Sequence, residues 1–525
     1  MHRSSGQPRT WALAAVLLAG GIAAASPARA ADVTDAQAQQ LEQQVRSWLA
    51  DLLGPLVHLA DSPVKLTAED DHFRAEIPLD DLFGGAAVSL TGGPITAQAR
   101  PLEGDRWALD KIEFPSPLRI AYPMAGGGST TVSYSFDEQT SSAVLDPSLA
   151  TGSNFDSTLK GYAARGEGPQ GTQSSRMEQL SNHLSWQPAE GGRVNMLGEA
   201  DGKLLTVNSM APKFGLVSFS AERMHGTVHL DNVAPDLLRP IIHAAFELVP
   251  VAMAAANAAA EAKPPKKAQL GQPGKPPEPH KPKPAAAHPP EMKLSPEMRA
   301  SLREALTAAR NLTDGFGEKV SLENVVVEAA GHGGHASRFE AGMGIAAPDG
   351  LLMLRINFLL DGLDSPEIPP GALHDYLPRH IAFAPRIGGI PAKDVMDLLI
   401  LAVDSDGDDP VLQAKTDALM HKGPVAVGLD DLALDFGPVM LKGSGAMQIV
   451  DRTTYSGEAH FSATGMDEMI RQAGATPELQ QAVPVLILLK GIGQQDGDKM
   501  VWNIAYQDGK LLVNGNDLSQ MMPGK

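Results

Sequence analysis

The sequence predicts a mainly β protein (α+β), built as two lobes of twisted antiparallel sheet with one or more amphipathic helices packed on each. Three observations carry this expectation. The chain has 52 glycines and 41 prolines in 525 residues, a turn-former content that favours many strands and turns over helical bundles. Most segments between the turns alternate apolar and polar residues, the period of a strand with one buried face. Residues 263–293 form a proline, lysine and alanine tract with almost no large apolar side chains, so it reads as a solvated spacer rather than part of a core.

The chain begins with Arg3 and Arg9, an apolar run over 11–25 and the small residues of Ala28-Arg29-Ala30. This is the pattern of an export signal cleaved after Ala30, and an uncleaved inner-membrane anchor is the alternative. With no cysteine, a disulfide framework, a lipidated N-terminal cysteine and thiol chemistry are excluded. The expected divisions are a signal at 1–30, an N-terminal lobe at 31–260, a linker at 261–294 and a C-terminal lobe at 295–525.

The first lobe opens with a helix. Thr34 and Gln37 are spaced for a capping box, and Leu41, Val45, Trp48, Leu49 and Leu52 follow on one face. Strands are expected over 64–67, 73–77, 87–90, 95–99, 107–112, 118–122, 130–136, 154–163, 177–186, 193–200, 204–207 and 216–230. The second lobe repeats the plan. Ser295 caps a helix with Pro296 at its first position, and strands follow over 320–329, 338–345, 351–359, 380–383, 425–434, 439–449, 455–462, 500–506 and 511–513. A shared grammar of strand end, turn and acid-led helix links 229–239, 389–399 and 460–471, with an acid in each first turn suited to the helix dipole. Cutting the linker is expected to release two independently melting halves.

The formal charge of −19 and an aromatic fraction of 5% argue against a nucleic-acid partner. The linker runs against the acidic trend. Lys263, Lys266, Lys267, Lys275, Lys281, Lys283 and Lys293 face only Glu278 and Glu291 there, which keeps the spacer extended and offers contact with an anionic membrane surface.

No catalytic motif is expected. Asp404, Asp406 and Asp408 make the most metal-like string, but Asp409 and Lys415 stand where an EF-hand loop needs Gly and Glu, so a solvated acidic loop is the reading. His225 and His229 fall with Thr227 and Asp231 on one face of a strand, without a further firm ligand for zinc. His332 and His335 sit in a glycine turn. Ser62 to Lys65 and Ser157 to Lys160 match S-x-x-K, yet in strand or turn context and with no K-T-G. No cofactor is expected.

The closing segment, an apolar run over 485–493 leading to Trp502 and then Asp508-Gly509-Lys510-Leu511-Leu512-Val513-Asn514-Gly515, resembles exported bacterial proteins of unknown function of the DUF2125 and DUF945 (YdgA-like) kind, broadly similar to AsmA-type envelope proteins. The resemblance covers mainly the second lobe and rests on pattern. It implies a periplasmic, β-rich, non-enzymatic protein of Gram-negative envelope or lipid homeostasis. The functional expectation is therefore envelope maintenance with a lipid or other apolar ligand held between sheet and helix, helped by the methionines of the second half. The alternatives are an interaction module tethered near wall or membrane, and a hydrolase with an unrecognised site.

Overall fold

The computed structural model describes residues 34–518 apart from 54–63, 83–88, 104–105, 124–128, 147–153, 169–170, 212–214, 246–293, 330–331, 369–373, 375–376, 406–409, 421–422, 451–453 and 508. The segment read from sequence as an export signal and residues 261–293 of the expected linker thus lie outside the described residues.

The described chain enters through α1 (Asp35–Leu53). Its capping box forms as the spacing predicts: Thr34 N donates to Gln37 Oε1 at 2.9 Å, and Gln37 N donates to Thr34 Oγ1 at 3.4 Å. Eight short strands follow: β1 (Lys65–Glu69), β2 (His72–Pro78), β3 (Ser89–Thr91), β4 (Pro94–Pro101), β5 (Trp107–Glu113), β6 (Leu118–Pro123), β7 (Ser129–Ser135) and β8 (Glu138–Leu145). Then come four long ones, β9 (Asn154–Gly168), β10 (Gly171–Pro188), β11 (Val194–Ala211) and β12 (Gly215–Val233). Ala38, Leu41 and Val45 of α1 enter one core with Phe73, Trp107, Ile112, Phe155 and Leu159. Leu41, Ile112 and Leu159 are among the most completely enclosed side chains, and each contributes about 1.5–3 kcal/mol by leaving water.

Strand β9 distributes the sheet. Its first half pairs with β8, its second half pairs with β7, and its other edge pairs with β10 throughout. The change of partner falls at Gly161, whose φ is +60 and where a Cβ would collide with the Asp137 side chain. Only glycine meets both conditions.

Beyond the linker, α2 (Pro296–Ala309) is capped by Ser295, whose Oγ accepts from Met298 N at 3.2 Å. The strands continue as β13 (Gly315–Ala329), β14 (His332–Ala346), β15 (Leu351–Asp361) and β16 (His380–Pro391), followed by α3 (Ala392–Asp404) and α4 (Pro410–Met420). Next are β17 (Val425–Asp435), β18 (Met440–Ile449), β19 (Tyr455–Thr464), α5 (Met466–Ala475) and α6 (Val483–Ile492). The chain closes with β20 (Gln494–Asp496), β21 (Lys499–Gln507), β22 (Lys510–Val513) and β23 (Asn516–Asp517). The mainly antiparallel architecture with helices on the sheet matches the expectation from sequence.

The two halves of the chain share that sheet. All twenty-three strands among the described residues belong to one hydrogen-bonded sheet. Strands β12 and β13, which flank the linker, pair with each other from Val217–Ala329 to Asp231–Gly315. A core cluster straddles that seam, joining Leu205 and Ala221 to Leu322, Val325 and Ala336. Arg193 fastens the same seam: its Nε donates to Asn232 O at 2.6 Å, and its Nη2 donates to Asn311 O and Leu312 O at 2.9 and 3.1 Å. A spacer that cannot join a core can still connect two strands that do, because an antiparallel pair accepts any long connection.

Candidate functional site

Direct partners across the ladder share a face, so one row can be followed from strand to strand. It runs Gly226, Val320, Ala341, Phe358, Phe383, Leu432, Gly443, Phe461 and Trp502, from β12 to β21. Every member is apolar. Neighbouring rows on this face are similar, with Glu318 opposite Met343 as a charged exception.

In the first half this face is buried in the core that α1 enters, at Leu159 and Leu180. Over β13–β18 the face stays partly open: Val320, Ile345, Ile356, Phe383, Ile387 and Met447 each retain between 37% and 45% of their surface. Scattered apolar side chains on a surface are ordinary, but a contiguous apolar face marks a binding surface.

The face deepens into a trough of about 430 Å³ across β16, β17, β18, β19 and β21. Its floor is the row Pro385, Leu429, Gly445, Ala459 and Ile504. Small residues in the middle of that row make the depression. Phe383 and Phe461 stand along one side, and Val427, Met447 and Tyr506 stand along the other. At the β21 end Tyr506 stacks on Tyr455, with ring centroids 4.4 Å apart and planes at 11°. The Tyr455 hydroxyl, hydrogen-bonded to it, raises the Tyr506 phenol above its ordinary value, so the trough ends in neutral donor and acceptor groups.

Helices α5 and α6 close the sheet next to the trough. Trp502 Nε1 donates to Leu489 O at 2.9 Å, and Leu486 and Ile492 pack on Met500 and Trp502. The outer side of α6 is bare: Val485, Ile487 and Leu488 are each more than half exposed. Lys490 is paired with Asp467.

The opposite face of the sheet is polar and laced by cross-strand pairs. His183 meets Asp156 at 2.6 Å, His225 meets Asp201 at 2.9 Å, Lys319 meets Glu340 at 3.0 Å and His380 meets Asp361 at 2.6 Å. This is where the structure places the histidines read from sequence. His225 is engaged by Asp201, and the ring of His229 lies over Gly317, so the two do not converge on one point. His332 bonds Glu367 at 2.7 Å. His335 joins the edge of β14 to Asp364 through its backbone. Asp404 ends α3 and is paired with Arg303 of α2, while Asp406 and Asp408 lie outside the described residues. Among the described residues no three His, Asp or Glu side chains form a metal-holding group. Ser157 is buried and shares a 2.9 Å hydrogen bond with Ser141, whereas Lys160 is on the other face with Glu138 at 2.5 Å. That S-x-x-K string cannot act as a pair, and Ser62 lies outside the described residues.

Sequence reasoning missed the trough. The signal was present in Gly443-Ser444-Gly445 and Gly457-Glu458-Ala459, where small residues recur at the apolar phase of a strand and so lower the floor between larger neighbours. Comparison with protein-family models, with curated sequences and with solved structures finds no match. Among the described residues no helix is long and apolar enough to cross a membrane.

Proposed function

We propose that this chain is a non-catalytic binding protein of the cell envelope that holds a lipid or comparable apolar ligand on the open face of its sheet. The observation that carries the reading is the apolar face over β13–β21 with its trough of about 430 Å³, a volume in the range of small-molecule sites. Sequestering exposed apolar surface is favourable at roughly 25 cal/mol per Å², so a long alkyl group is the chemistry that this face rewards. The leader at 1–30, with its two early arginines and small-residue exit, supports periplasmic placement.

A second reading is favoured by one specific feature. The bare side of α6, with Val485, Ile487 and Leu488 exposed, suits an interaction module that docks by an apolar helix.

Native mass spectrometry of the full chain, purified without strong detergent, tests the first reading. It predicts an added mass that organic extraction removes and identifies as lipid. A chain that flies at its apo mass, and takes up nothing from mixed phospholipid vesicles, contradicts it.

A further inference from the structure

We infer that the trough across β16–β21 selects a single, uncharged alkyl-chain lipid, of the monoacylglycerol or fatty-alcohol class, over the anionic fatty acid or phospholipid of the same chain. The inference rests on the apolar-ligand reading and deepens it.

Shape argues for one chain. The trough crosses five strands, and with strands about 4.8 Å apart its floor is roughly 19 Å long. It is one residue row wide, Pro385 to Ile504, between walls that include Phe461 and Met447. That form fits one extended chain and not two side by side.

Charge argues for a neutral head. Among the residues lining the trough there is no lysine, arginine or histidine, and its one acidic residue, Glu458, falls between Gly457 and Ala459 and so projects its carboxylate to the opposite face. A carboxylate or phosphate brought to the floor would be desolvated with no cation to meet it. The chain as a whole carries −19, so the long-range field adds to the discrimination. The polar group that the trough does offer is the phenol of Tyr506 at its β21 end, against which Tyr455 stacks. Neutral hydroxyls of this kind exchange hydrogen bonds with an alcohol or glycerol head. The alkyl chain would lie along Leu429 and Ala459, with its head at the tyrosine pair.

The test is displacement of a fluorescent alkyl probe from the full chain at pH 8 by 1-monoolein and by oleate, which share a chain and differ in charge. The account predicts that monoolein competes at least about tenfold better, since an unpaired desolvated charge costs more than the 1.4 kcal/mol of a tenfold change. Leu429→Trp, which fills the floor, should weaken monoolein by about tenfold or more, and Lys160→Ala, on the opposite polar face, should leave it within about twofold. Melting midpoints check that both variants fold. A monoacylglycerol with a diazirine in its chain, cross-linked to the unmodified chain, should label β17–β21 and gives the location should Leu429→Trp fail to fold. Oleate equal to or better than monoolein overturns the charge selection, and labelling outside β16–β21 overturns the location. If lipid co-purifies yet neither ligand competes, the trough proposal falls while the apolar-ligand reading stands. If nothing co-purifies and nothing competes, both fall.

Discussion

Ser157 and Lys160 show what decides a motif at the scale of single residues. Three positions apart on a helix they would be neighbours, but on a strand they project to opposite faces, and here one is buried against Ser141 while the other pairs with Glu138. The alternation of residues 154–163 was enough to foresee this. Single side chains also set an acid response. Glu468, in the first turn of α5, is held down to about 2 from an ordinary 4.5, chiefly by Arg471 and then by Gln472. A depressed carboxylate contributes stability that is present above its unfolded value and lost as pH falls through the folded one. The melting midpoint of the wild type should therefore drop between pH 4.5 and 2 more steeply than that of Glu468→Gln. The variant should lie below the wild type at pH 7, with the gap narrowing toward pH 2. Two parallel curves across that window would contradict the assignment.

At the scale of elements, most strands were legible, β8 (Glu138–Leu145) was not foreseen, and strand length was not legible. The expected break between 193–200 and 204–207 came from Asp201-Gly202, ordinarily a turn signal, yet β11 runs through it because both of its edges are paired, to Leu180 and Asp201's neighbours on β10 and to Met224 on β12. Tertiary pairing overrides a local turn preference. What those residues do mark is a crease. Positive φ recurs at Gly161, Leu204, Asn324 and Gly362, on alternate strands or just beyond them. The register steps over Leu204 on β11 and over Asn324 on β13. Each such residue resets the alternation, which is why Leu205 and Val325 are buried although Leu204 is 54% exposed. Leucine is poorly suited to that backbone, so Leu204→Asn should raise stability by about 0.5–1 kcal/mol, whereas Leu204→Ile should lower it. Urea denaturation at pH 7 measures both, and an Asn variant as destabilised as the Ile variant would refute the crease.

For the whole molecule, the apolar phase of the strands was readable because period two is a local property. Whether two lobes would share one sheet was not, because it depends on a pairing between residues a hundred positions apart. The linker's composition excluded it from a core and said nothing of the strands on either side. Their union has a functional consequence, since it makes one apolar face long enough to run from the α1 core to the trough beside Trp502. The same sheet separates two environments, with ion pairs such as Lys319–Glu340 on one side and exposed Ile356 and Phe383 on the other. A ligand that prefers the second is the simplest reason for leaving it open.

The union of the two halves is tested most directly by cutting the linker at its lysines with limited trypsin and following the product by gel filtration and calorimetry. Pairing of β12 with β13 from Val217 to Asp231, with the Arg193 clamp across the seam, predicts that the nicked halves co-elute as one particle and melt in a single transition. Halves that separate and melt independently would contradict a single sheet, and with it the continuous face on which the proposed binding depends.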